Sequence, residues 1–133
     1  MSGNGIPGDP WVLNTPLGKA QFEMHRDKDK EVLHSQVGST WLHYRLRALD
    51  DLNAMLKQHG DWMELGNKDE KAATKPDTVE HWARSSDNPV GGWYGLRKGY
   101  RGRFASYVTP VLEQLGKVEF EKRARSTWVR AVL

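Results

Sequence analysis

The chain contains no cysteine. That excludes disulfides, thiolate metal sites and a cysteine nucleophile, and it fits a reducing, cytoplasmic setting. No apolar run approaches the roughly 20 residues of a membrane-spanning helix. The first ten residues, MSGNGIPGDP, lack the apolar stretch of a signal peptide, and residues 1–9 read as a flexible tail. Five histidines are present, yet none fall at His-x-x-x-His or His-Glu-x-x-His spacing. No metal centre and no cofactor is therefore expected.

What is present is aromatic and unevenly charged. Six Trp, four Tyr and three Phe in 133 residues can fill a modest core. The net charge of +3 hides an asymmetry. Residues 1–89 carry 11 Lys/Arg against 14 Asp/Glu, whereas residues 90–133 carry 9 against 3. A basic C-terminal third on a slightly acidic body points to a polyanionic partner.

Residues 10–133 read as a single domain in two parts. Residues 10–45 alternate apolar and polar side chains in PWVLN, KAQFEMHR, EVLHSQV and TWLHYRL. A period of two predicts strands, and Gly38-Ser39 between the last two predicts a tight hairpin. His34 and His43 would be cross-strand neighbours there. The period then lengthens. Leu46, Leu49, Leu52, Met55 and Leu56 predict a helix over 46–59 that ends at Gly60. DWMELG suggests a short strand, and residues 67–77 a polar loop. Asp77 and Glu80 have capping-box spacing and predict a helix over 78–85. A further helix is predicted over 104–115, with Pro110 either kinking it or opening a new one. An antiparallel hairpin pairs 118–123 with 127–132. The fold class is α+β: a small N-terminal antiparallel β-meander packed on a C-terminal helical and hairpin unit, residues 46–133.

The order in that unit is helix, short strand, helix, turn, longer helix ending in LEQLG, then a basic hairpin. It resembles a winged helix-turn-helix domain, with VLEQLGKVEFEKRARSTWVRAV as the junction of helix and wing. The resemblance implies DNA binding, with one helix in the major groove. The connection from Ser85 to Tyr94 is longer than such a fold usually has. Three stretches, VGSTWLHYRLRALDDL, NPVGGWYGLRKGYRGRF and VTPVLEQLG, also resemble a small bacterial family of unknown function. That likeness implies no activity.

The second of these stretches, residues 88–104, holds five glycines, four cations, four aromatics and no acid. Placed on a helix, Gly92, Gly95, Gly99 and Gly102 form a smooth stripe opposite Tyr100, Phe104, Tyr107 and Val108. Lys98 and Arg103 flank the stripe, with Arg101 beyond Lys98. A smooth face admits close approach of another surface, and the cations suggest a negative one. The alternative is a tight loop whose glycines supply positive φ, with Trp93 and Tyr94 packed in the core. A basic glycine loop can also hold phosphate through backbone N–H groups.

The functional expectation is nucleic-acid binding, to duplex DNA and in a regulatory role. Arg97, Lys98, Arg101 and Arg103 would contact the site, and Lys122, Arg123 and Arg125 would reach phosphates from the wing. The chain is not read as an enzyme, although His59, Asp61 and Glu64 stand close together in sequence. The rival expectation is a protein-interaction module, with a protein partner or a second copy of the chain. No membrane role is expected.

Overall fold

Alternation of apolar and polar residues builds the first half. In the computed structural model, which describes residues 3–132, four strands form one antiparallel sheet in chain order. They are β1 (Trp11–Asn14), β2 (Gln21–Asp27), β3 (Val32–Val37) and β4 (Thr40–Arg45). Phe22 and Met24 of β2 are buried, while Gln21 and Glu23 between them are exposed. Leu33, Leu42 and Tyr44 join the buried face. Val37 faces Thr40 across the β3–β4 hairpin, and Gly38 there has φ 61.

The longer period gives α1 (Ala48–His59), which buries Ala48, Leu49, Leu52 and Leu56. Asp50 and Asp51 lie in its first turn, where negative charge suits the helix dipole. Gly60 ends it in the left-handed region, its N–H donating to Leu56 O. There follow β5 (Met63–Glu64), α2 (Val79–Trp82), α3 (Phe104–Tyr107), α4 (Thr109–Gln114), β6 (Val118–Arg123) and β7 (Ser126–Ala131). The last two form the expected antiparallel hairpin, with Arg123 facing Ser126. β5 pairs with the return strand, so the second sheet has the order β5-β7-β6. One cluster of buried side chains extends from Trp11 to Val129 and draws on both sheets and all four helices. The organisation is mixed α+β: a four-stranded antiparallel sheet, then short helices and a small second sheet.

Several local expectations change. Residues 3–9, expected as a tail, fold back on the sheet. Gly3 N–H donates to Pro10 O, Arg26 N–H to Gly5 O, and Gly5 is buried against the Trp11 ring. Residues 1–2 lie outside the described range. The helix expected over 78–85 spans only Val79–Trp82. Its cap is Thr78, whose hydroxyl accepts from His81 N–H, because Asp77 takes a left-handed φ of 63. Glu80 closes no capping box: it is 1 % exposed and occupied elsewhere. The helix expected over 104–115 is two short ones. Val108 separates them, and Pro110 lies in the first turn of α4, where its missing N–H costs nothing.

Residues 91–103 are not helical, so the small-residue stripe does not form. Gly91 and Gly99 take φ of 74 and 90, and Arg103 takes 57. Tyr94 is fully buried, stacked on Trp82 at 5.1 Å, whereas Tyr100 is 45 % exposed. The close approach predicted for the glycines is nonetheless present, within the chain. A Cβ on Gly95 would lie 2.6 Å from Arg101 Cα, and one on Gly102 would overlap the backbone of Asp69 and Glu70.

These contacts predict opposite behaviour from that of a helix, where Gly→Ala stabilises by about 1 kcal/mol. Gly99→Ala should destabilise by about 1–2 kcal/mol through backbone strain alone, since its Cβ meets open space. Gly102→Ala should cost more, about 1–3 kcal/mol or above, because the backbone beside it must move. Urea denaturation of the two variants checks both signs.

Candidate nucleic-acid interface

The glycine-rich loop is fastened by a network of charged and aromatic side chains. Glu80, on the buried face of α2, accepts from Ala105 N–H and from Arg84 Nη2, each at 2.9 Å. Burial pushes the Glu80 carboxyl above its ordinary value, against the pull of those donors. Arg84 is itself nearly buried, its side chain 10 % exposed. Besides Glu80 it donates to the carbonyls of Lys68 and Asp69 at 3.2 Å and of Ala72 at 3.1 Å. Its guanidinium also lies over the Trp93 ring, 4.4 Å from the centroid, as does that of Arg101. Arg101 Nε in turn donates to Glu70. One buried arginine thus ties the polar loop 67–77 to α2, and Trp93 ties both to residues 97–103.

The predicted basic residues fall into two groups. Arg97 and Arg101 are used by the fold. Arg97 stacks on Tyr100 at 4.2 Å and donates to Trp41 O at 2.7 Å. Arg123 is half engaged, over the Trp128 ring at 4.1 Å and 3.4 Å from Glu121. By contrast Lys98, Arg103, Lys122 and Arg125 are exposed, and their side chains make no hydrogen bond or ion pair among the described residues. Gly92, like Gly99, has open space beside its α-carbon, whereas Gly95 and Gly102 meet the chain itself.

Two of the uncommitted cations, Arg103 and Lys122, line clefts at opposite edges of the four-stranded sheet. Asn14, Gln21, Val37 and Thr40 mark one end of the four-stranded sheet. Tyr107 packs edge-on against Phe22, ring centroids 5.0 Å apart, so α3 and α4 cross this end. On the β4 side a cleft of about 240 Å³ is lined by Val37, Thr40, Gly99, Tyr100 and Arg103. On the β1 side a cleft of about 380 Å³ is lined by Asn14, Thr15, Pro110, Glu113 and Lys122. The edge strands β1 and β4 are three strand spacings apart, about 14 Å.

The open face of the sheet carries a feature only partly foreseen. His25, His34 and His43 stand opposite one another across β2, β3 and β4. His34 Nδ1 and His43 Nδ1 are 2.8 Å apart, and Asp27 Oδ2 is 3.4 Å from His34 Nε2. Alternation in the sequence put each histidine on a strand. The shared row follows from register, which spacing alone did not fix for His25. Among the described residues no group of three or more His, Asp or Glu could hold a metal ion. His59, Asp61 and Glu64 do not converge on a common centre. His59 and Asp61 bond to the Trp62 backbone, and Glu64 pairs with Lys75 at 2.9 Å. None of the described helices is long and apolar enough to cross a membrane.

A mixed α+β domain with a fastened basic loop and a basic hairpin is the class of molecule so far described. The chain belongs to a family of unknown function, DUF6855, whose model matches residues 3–132. No curated protein and no solved structure matches it.

The network and the histidine row each yield a prediction. Arg84→Ala should destabilise by about 3–5 kcal/mol, since it strands the buried Glu80 carboxylate; exposed Arg123→Ala should cost at most about 1 kcal/mol. Thermal melts of both variants test the contrast. His25 and His43 are held below the ordinary value of 6.5, by burial first and by His34 next. The unfolded chain therefore takes up protons near pH 6.5 that the folded chain refuses. Their contribution to stability is full above pH 6.5 and declines as pH falls below it. The melting temperature should drop from about pH 6.5 downward, and drop less in His25→Asn/His43→Asn.

Proposed function

We propose that the chain binds nucleic acid, duplex DNA, as a cytoplasmic regulatory protein rather than an enzyme. The observation that carries this reading is the pair of uncommitted cation groups. Arg103 lines the cleft on the β4 side and Lys122 the cleft on the β1 side of one sheet end, with Lys98 and Arg125 near them in sequence, and the edge strands of that sheet are about 14 Å apart. That span is comparable to the roughly 12 Å width of the major groove. The element order is α1, β5, three short helices and a hairpin whose return strand pairs with β5, and the helix that the winged resemblance would place in a groove is divided into α3 and α4 of four and six residues; the reading therefore rests on the cations and not on that resemblance. The phosphate-contacting set is narrower than the sequence suggested, because Arg97 and Arg101 are spent on internal contacts.

A second reading rests on a patch at the β4 edge. Trp41, Leu96 and Tyr100 are all exposed there, with Arg97 stacked on Tyr100 and donating to Trp41 O. Aromatic residues and arginine are the usual centre of a protein interface. The partner would be another protein or a second copy of the chain.

Fluorescence anisotropy of a short duplex at two salt concentrations separates the readings. Binding should weaken steeply with salt, each neutralised phosphate contributing about 0.9 to the log–log slope. Lys122→Ala and Arg125→Ala should each lower the slope by up to about one unit. Lys57→Ala, on α1, should leave it unchanged, and Arg101→Ala should lower the melting temperature through its lost contacts with Glu70 and Trp93. Absence of binding at low salt would pass the proposal to the interaction patch.

A further inference from the structure

The glycine-rich loop already holds an anion, and that anion belongs to the chain. Gly99 N–H donates to both oxygens of the Glu70 carboxylate, at 3.1 and 2.9 Å, and Arg101 N–H donates at 3.2 Å. Arg101 Nε is the third donor on the same group. Together they hold the Glu70 carboxyl below its ordinary value, the Arg101 side chain contributing most. Two backbone N–H groups and a guanidinium converging on one point form an anion-binding concavity. The positive φ of Gly99 is what turns its N–H inward.

We infer that this concavity is a phosphate site in which the Glu70 carboxylate stands in for a phosphate of the bound nucleic acid. The inference rests on the reading given under Proposed function and assigns one of its contacts.

Three features make the exchange feasible. The backbone around Glu70 is fastened without its carboxylate, because Arg84 holds the carbonyls of Lys68, Asp69 and Ala72 and Arg103 N–H donates to Lys68 O at 2.8 Å. Swinging the side chain out is therefore a rotamer change and leaves the loop in place. The cleft of about 240 Å³ opens beside the carboxylate and gives room for the change. The uncommitted Arg103 lines that cleft, so a phosphate entering it would meet a fourth donor. A phosphate diester accepts the same three hydrogen bonds as a carboxylate and carries the same single charge. The tethered Glu70 competes at high effective concentration, so free phosphate should bind weakly. A phosphate delivered by a duplex already held at the hairpin should succeed.

The test follows the amide resonances of Gly99 and Arg101 in the labelled full chain during titration, first with inorganic phosphate and then with a short duplex. Both resonances should move with the duplex, and with phosphate only at high concentration. Glu70→Gln should shift the phosphate response to severalfold lower concentration and tighten the duplex severalfold. Glu23→Gln removes the same charge from an exposed position on β2 and should do neither. Duplex binding with silent Gly99 and Arg101 resonances overturns this inference and leaves the proposed function standing. Equal effects of Glu70→Gln and Glu23→Gln also overturn it, as a general charge effect. Movement with phosphate but no duplex binding overturns the proposed function instead. If Glu70→Gln does not fold, the resonances of the unaltered chain decide alone.

Discussion

The guanidinium of Arg84 is the point on which the second half of the molecule depends. It is a nearly buried charge, and such a charge is tolerated when it is paired and hydrogen-bonded; here both terminal nitrogens are bonded and only the buried Nε has no partner among the described residues. Glu80 supplies the opposite charge, and four carbonyls of the 67–77 loop take further donors. The loop thereby acquires a fixed position although it has almost no apolar residue to bury. Trp93 extends the order to residues 97–103, because it lies against both Arg84 and Arg101. Tyr44 and Tyr94 complete the attachment by donating to Gly102 O and to Asp51, which joins this region to the sheet and to α1.

That arrangement divides the cations of residues 84–125 into two kinds. Arg84, Arg97 and Arg101 are structural: each stacks on an aromatic ring and donates to backbone or carboxylate. Lys98, Arg103, Lys122 and Arg125 are left to solvent. Charge counted along the chain does not distinguish the kinds: those of the second can meet a partner as they stand, whereas Arg101 can do so only by exchanging Glu70 for another anion. The glycines divide in the same way. Gly95 and Gly102 admit the chain's own backbone, and Gly99 directs an N–H toward an anion.

The sheet was legible in the sequence because one face is buried and the other is not. Phe22 and Met24 against Gln21 and Glu23 fix both strand and face, and Gly38-Ser39 fixes the register of β3 with β4. The first helix and the closing hairpin were legible for similar reasons. The loops were not. Nothing local told that Glu70 would meet Arg101, 31 residues away, or that Glu80 would leave its cap position for Ala105 N–H. Of the helical periodicity from Tyr100 to Val108 only Phe104–Tyr107 is helix, and its extension back to Tyr100 was a coincidence of spacing. The glycines that broke it were better read by their freedom at positive φ than by the stripe they would form. Of the candidate interface, the hairpin cations were legible as exposed, whereas the fates of Arg97 and Arg101 depended on long-range contacts.

The central claim is that a buried arginine network, rather than local helix, orders the basic glycine-rich segment. Native-state hydrogen exchange of Arg84→Met tests it most directly. The account predicts that the amides of Gly99, Arg101 and Arg103 lose protection while those paired between β2 and β3 keep theirs. Protection at Gly99, Arg101 and Arg103 that is unchanged by Arg84→Met would contradict it.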